Sequence, residues 1–227
     1  VHVYIGEEAI ATGVCFNLLK TDRIVSHHRG HGHCIAKGAD INRMMAEVFG
    51  KRTGYCKGKG GSMHIADFSV GMLGANGVVA AGIPIAVGAA HAVKVRGGKE
   101  IVACFFGDGA INRGPFMEGL NWARVHRLPI LFVCEDNRWS ATTATDAMTA
   151  GEGALARAKS LDIAGVQVED GNDVFAVDAA ARELIAKVRA GDGPQLLHAI
   201  TYRVKGHVSV DPAAYRDQGE VAKALES

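Results

Sequence analysis

The stretch from Ile101 to Trp139 constrains this chain most. An apolar run, IVACFF, leads into GDGAINRG; an amphipathic segment runs to His126, and a second apolar run, PILFVCE, leads into DNRW. Two strand-length runs separated by a glycine turn and a helical segment make a βαβ unit, and runs this apolar belong to strands buried on both faces. Parallel strands joined in this way end at the same edge. Asp108 follows the first strand and Asn137 the second, so a carboxylate and an amide emerge where open α/β sheets bind their ligands. Both are hard oxygen donors of the kind magnesium uses, and magnesium completes its shell with water and phosphate oxygens. The pattern therefore predicts a phosphorylated ligand. Gly107 and Gly109 are expected to let the backbone approach it, and a helix starting near Pro115 to present N–H groups to an anion. A lone GDG would be an ordinary turn and a lone Asn a helix cap. Their pairing, each just past a buried strand, is what points to a site.

The rest of the chain extends the same pattern. At 227 residues, 48% of them hydrophobic, it can bury a full core and is read as one domain, residues 1–227. A formal charge of +1 argues against nucleic-acid and membrane-surface partners. Five cysteines with no CxxC pair suggest free thiols in a reducing, cytoplasmic setting. A start at Val1 and a helical pattern still running in EVAKALES suggest that the natural protein extends beyond both ends. Helices are expected over residues 7–20, from Asp40 to Phe49, from Pro84 to Gly97, over 153–161 and from Asp173 to Gly191. Strands are expected at 22–26, 166–168 and 196–204. Glu7 and Glu8 open the first helix and read as solvated or facing the helix dipole. HHRGHGHCIAKGAD crowds its histidines without the paired spacing of a zinc site and reads as a loop lining a polar pocket. The glycine-rich stretch from Lys51 to Gly77 reads as one long functional loop, and its KGKGGS lacks the spacing and preceding strand of a phosphate-binding P-loop. Alternating strands and helices predict an α/β fold, a three-layer sandwich around a mostly parallel sheet.

Taken together, HRGHGH, GYCKGKGGSMHIAD, GANGVV, GDGAINRG, DNRW and YRVKGH resemble the α subunit of the thiamine-diphosphate-dependent E1 component of 2-oxo acid dehydrogenase complexes. Residues 110–135 separate GDG from Asp136 and Asn137, similar to the thiamine diphosphate motif of that family. The wording is most similar to the acetoin dehydrogenase branch, with pyruvate dehydrogenase next. The resemblance implies a thiamine-diphosphate-binding fold in which Asp108, Asn137 and the carbonyl of Trp139 hold Mg2+. It further implies that Gly109 and Ala110 approach the diphosphate, with His28, Arg29, Arg203 and His207 meeting it from other loops. Gly77 and Val79 would contact the aminopyrimidine, and His64 and His207 would serve as the catalytic histidines.

The implied activity is an oxidoreductase that cleaves acetoin or a 2-oxo acid such as pyruvate and passes the acyl group to the lipoamide of an E2 partner. The carboxylate that activates the aminopyrimidine is expected from a separate E1 β subunit in an α2β2 assembly. Two other readings stay open: a half of another thiamine diphosphate enzyme, transketolase-like, and a catalytically silent subunit of the same fold. Several residues depart from the family pattern. Asp136 stands where a second Asn is common, Arg113 where Gln is, Trp139 where Tyr is, Ala80 where Gly is, and Val208 where one branch has a phosphorylated Ser. Arg113 is expected to add charge near the site.

Overall fold

The computed structural model describes residues 1–226. After helix α1 (Glu8–Phe16) come strand β1 (Arg23–Ser26) and helices α2 (Gly30–Ala36) and α3 (Ile41–Val48). Strand β2 (Met72–Ala75), helix α4 (Gly82–Val95) and strand β3 (Val102–Gly107) lead to the central unit, which continues with α5 (Gly114–Val125) and β4 (Ile130–Asp136). A small hairpin, β5 (Trp139–Ser140) and β6 (Thr143–Ala144), follows. The chain then runs through α6 (Gly153–Lys159), β7 (Ala164–Val168), α7 (Val174–Ala190), β8 (Gln195–Ile200) and α8 (Gln218–Glu226).

Six strands form one sheet in the order β2-β1-β3-β4-β8-β7, and every neighbouring pair is parallel. The alternation of side chains along the central strands builds both outer layers. Val102, Cys104 and Phe106 pack with Ile83, Val87, Phe116 and Leu120, whereas Ala103 and Phe105 pack with Ile10, Val14, Val177 and Leu184. Helices α4, α5 and α6 thus cover one face, and α1 and α7 the other. This is the expected three-layer sandwich, with a sheet that is wholly parallel. No helix among the described residues is long and apolar enough to cross a membrane.

Local chemistry explains most boundaries. Asp40 accepts from Asn42 N and Arg43 N at 2.7 and 3.2 Å, Asp173 caps α7 through Phe175 N, and Gly191 ends that helix in the left-handed region at φ 91°. Three expectations need correction. The histidine-rich stretch is not a loop, since α2 runs through it; a Cβ on Gly30 would stand 2.5 Å from Ala75 Cβ, so its glycine allows close packing against β2. The long loop from Lys51 to Gly77 contains β2, too short and glycine-broken to show a period. The last strand ends at Ile200 rather than Val204.

Strand order fixes where a ligand can sit. From β1 the chain passes to β2 on one side, and β3 then lies on the other side of β1, so the crevice at the carboxyl ends of β1 and β3 is a topological switch point.

Candidate active site

A cavity of ≈ 240 Å³ opens at that crevice. It runs across the sheet in strand order. Gly77, Val78 and Val79 come from beyond β2, His28 and Arg29 from beyond β1, Gly107, Asp108, Gly109 and Ala110 from the end of β3, and Asn137 and Trp139 from beyond β4. Arg203 and His207 close it from the segment after β8, and His2 and Glu7 from the start of the chain. Of the residues expected at the site only His64 is absent from the lining. It is exposed, its Nδ1 is 2.9 Å from the Gly60 carbonyl, and its ring stands next to Gly77 at the rim.

The cavity holds two guanidinium groups with different surroundings. Arg29, 2% exposed, donates to the Val3 and His207 carbonyls and lies 3.4 Å from Glu7 Oε2 through Nε. Arg203, 1% exposed, donates to the Ala141 carbonyl at 2.9 Å and to the Tyr215 hydroxyl at 3.0 Å. Its Nε has no hydrogen-bond partner, and among the described residues no carboxylate reaches ion-pair distance of it. A buried cation without a counter-ion is costly, so this geometry asks for an anion. The imidazoles do not compete for that role. Burial, with Arg29 beside them, lowers His2 and His207 to about 4, and burial pushes His28 down further, so all three are neutral hydrogen-bonding groups near pH 7.

Three carboxylates face the same space. Asp108, 3% exposed, accepts from the Thr145 hydroxyl, and burial pushes it up to about 6 against that bond. Glu135, 1% exposed, accepts from the Tyr4 hydroxyl, from His27 Nε2 and from His33 Nε2, the last at 2.9 Å. Burial opposes its ionisation, but His33 and His27 outweigh it and hold the carboxyl well below the usual range. His27, His33 and Glu135 bring ligand-type atoms within 4.8 Å of one another, as a metal site would. The His27 tautomer speaks against one: Arg29 N donates to Nδ1 at 3.1 Å, so the proton sits on Nε2 and is given to Glu135. Glu7, 1% exposed, accepts from Asn137 Nδ2 at 2.8 Å; burial lifts it to about 7 although Arg29 opposes the rise.

The placement of Glu7 corrects the expectation of a solvated helix-end residue. Glu7 carries no sequence signal that separates it from ordinary acidic residues, whereas Glu135 closes the apolar run that leads into Asp136 and Asn137, beside the site. His2 likewise joins the wall, its ring 4.8 Å from those of His28 and His207. Gly109 serves the protein before any ligand, because a Cβ there would collide with Ser140 Oγ. The backbone turning into the site after β3 is a short 3-10 helix, Asp108–Asn112, and α5 begins only beyond it.

The departures find places too. Asp136 turns to the α6 face, accepting from His198 Nε2 at 2.9 Å and Arg138 N at 3.0 Å. It closes a turn that keeps Arg138 at φ 64°. Arg113 is exposed and lines no part of the cavity, contrary to the charge expected of it there. Ala80 sits at φ 67°, a region that favours glycine.

The sequence pattern of the family described as Dehydrogenase E1 component matches residues 1–226. The α subunit of acetoin:2,6-dichlorophenolindophenol oxidoreductase from Bacillus subtilis is 51% identical over 226 residues, covering 100% of this chain and 68% of the relative. Its counterpart from Cupriavidus necator is also 51% identical, over 97% of this chain and 66% of the relative. The pyruvate dehydrogenase E1 α subunit of Rhizobium meliloti is 40% identical over 98% of this chain and 64% of its own length. The chain thus spans about two thirds of the length of these relatives.

Proposed function

The chain belongs to the Dehydrogenase E1 component family, and from that membership and the cavity we propose that it is the α chain of a thiamine-diphosphate- and Mg2+-dependent E1 component. Its substrate is acetoin or a 2-oxo acid such as pyruvate, its acyl acceptor the lipoamide of an E2 partner, and its setting the cytoplasm. One observation carries the reading: two hard oxygen donors, Asp108 and Asn137, share a cavity with Arg203, a buried guanidinium that lacks a counter-ion. A magnesium diphosphate matches that set, with the metal on Asp108, Asn137 and the Trp139 carbonyl and the anion toward Arg203, Arg29 and the neutral His28 and His207. Residues 1–227 are read as one thiamine-diphosphate-binding domain, in keeping with a single main sheet.

When bound, thiamine diphosphate supplies the electron sink that lets a C–C bond beside a carbonyl break. The chain's own part is binding and orientation. Val79, 53% exposed at the Gly77 end, would give the aminopyrimidine an apolar support, and the neutral His207 would accept or pass a proton at the cavity. His64, at the rim beside Gly77, would meet the substrate or the lipoyl group rather than the interior.

A second polypeptide is part of the proposal. The carboxylates of the cavity have other roles in this reading: Asp108 goes to the metal, Glu7 bonds Asn137 and pairs with Arg29 at 3.4 Å, and Glu135 accepts from three donors. At the Gly77 end the wall is Met63, Asn76, Val78 and Val79, which provides no carboxylate among the described residues. An E1 β subunit in an α2β2 assembly would supply it. The test is turnover of acetoin, pyruvate and branched 2-oxo acids with an artificial electron acceptor, using this protein with and without a co-expressed β chain. Turnover of acetoin or pyruvate only with both chains is expected. Turnover by this polypeptide alone would contradict the partner assignment.

A further inference from the structure

Glu7 is the N-cap residue of α1, yet it caps nothing. A carboxylate at that position ordinarily accepts from the first free N–H groups and faces the positive end of the helix dipole. Here no side-chain bond runs from Glu7 to the helix, and it is the neighbouring Glu8 that accepts locally, from Gly6 N at 2.8 Å. Glu7 is turned inward instead, to Asn137 Nδ2 at 2.8 Å and Arg29 Nε at 3.4 Å. The backbone before the helix enforces this. Gly6, at φ 94°, lies where any Cβ would collide with the Tyr202 carbonyl, and its own carbonyl accepts from Thr201 Oγ1 and Asn172 Nδ2, both at 3.0 Å. A buried carboxylate withheld from its easy use and aimed at one amide calls for an explanation.

The amide itself offers one. Oxygen and nitrogen of an asparagine are told apart only by their partners. At Asn137 the backbone settles it: Trp139 N, 3.0 Å from Oδ1, can only donate, and the other end of the amide lies 2.8 Å from Glu7 Oε1. The oxygen therefore faces the Trp139 turn and the nitrogen faces Glu7. We propose that Glu7 is a positioning residue for the metal, holding the Asn137 amide so that Oδ1 is presented to the ion. The inference rests on Asn137 being a magnesium ligand. Without Glu7, Nδ2 would be buried with no acceptor, and Arg29 would lose the one carboxylate within ion-pair distance of it among the described residues.

The test is a magnesium titration of thiamine diphosphate binding by calorimetry, beside thermal unfolding of the ligand-free protein, using the full-length chain with whatever subunit co-purifies. Groups that orient metal ligands are worth roughly 10- to 100-fold in metal affinity, so Glu7→Ala is expected to raise the half-saturating magnesium concentration by that factor. Glu7→Gln keeps an acceptor for Nδ2 and is expected to recover most of the loss, and Glu8→Ala to leave the titration unchanged. Should Glu7→Ala fold poorly, Glu7→Met, of similar volume, goes through the same titration with the same expectation. A wild-type magnesium requirement in Glu7→Ala or Glu7→Met overturns the inference. So does failure of Glu7→Gln to recover binding when both variants lose thermal stability equally. Asp108→Ala tells the two levels apart: if it too keeps wild-type binding, the metal reading has failed, and if it alone loses binding, only the role of Glu7 falls.

Discussion

Two glycine-rich stretches of this molecule, Cys56 to Gly61 and Gly107 to Ala110, are made of the same materials and do opposite things. In the first, the Glu47 carboxylate, 1% exposed, accepts from Cys56 N at 2.7 Å, Gly58 N and Gly60 N at 2.8 Å and Gly61 N at 3.0 Å. Burial works against its charge, but the four backbone bonds outweigh burial and hold the carboxyl below its ordinary value. In the second, Asp108 has one side-chain donor, Thr145, and burial wins, lifting it to about 6. The first is an anion cradle closed on the protein's own anion, leaving nothing for a ligand. The second leaves a carboxylate and a nearby guanidinium under-supplied, which is the condition of a binding site. Glycine-rich sequence near acidic residues therefore does not say whose anion is held; the count of satisfied partners does.

The comparison can be broken most forcefully at Glu47. Glu47→Gln keeps one acceptor oxygen and turns an NH2 toward two backbone donors, and unsatisfied buried donors cost about 1–3 kcal/mol each, so a loss of about 3 kcal/mol is expected in urea unfolding of the ligand-free protein. The pH dependence has a definite sign. A carboxyl depressed in the folded state contributes fully above its unfolded value of about 4.3 and loses that contribution as pH falls through the folded value, so the gap between wild type and Glu47→Gln should hold steady from about pH 7 to 5 and narrow below about 4. A loss under about 0.5 kcal/mol would mean that the loop is not held by this carboxylate. The smaller stability effect belongs to the open site. Arg203→Met removes a buried charge that no carboxylate among the described residues reaches at ion-pair distance, so its cost to the ligand-free protein should not exceed about 1 kcal/mol, while diphosphate affinity falls by about 100-fold. A large loss of stability with unchanged affinity would make Arg203 a structural residue and erase the contrast.

How much of this was legible in the sequence follows from what patterning can carry. The strands around Asp108 and Asn137 announce themselves because burial on both faces forces continuous apolar runs, and the ends of α3 and α7 because Asp40, Asp173 and Gly191 are strong local signals. Strand β2 was not legible, since four residues with a glycine inside give no period, and α2 was hidden because its glycines serve packing against Ala75 and Tyr4. The cavity residues taken from motif resemblance came together, apart from His64 at the rim. The contacts of Glu7 with Asn137 and of Glu135 with His33 and Tyr4 stayed hidden for another reason: they join residues 130, 102 and 131 positions apart, which only the folded chain brings together. Asp136 gained its explanation in the same way, through His198.

The open cradle is a cofactor site only if it takes a magnesium diphosphate through Asp108. Calorimetric titration of thiamine diphosphate into the wild-type protein and Asp108→Ala, each with magnesium and with a chelator, measures this directly. Saturable binding is predicted only for wild type with magnesium, and its absence in the other three titrations should come without loss of thermal stability in Asp108→Ala. Binding of equal strength in the chelator, or in Asp108→Ala with magnesium, would contradict it.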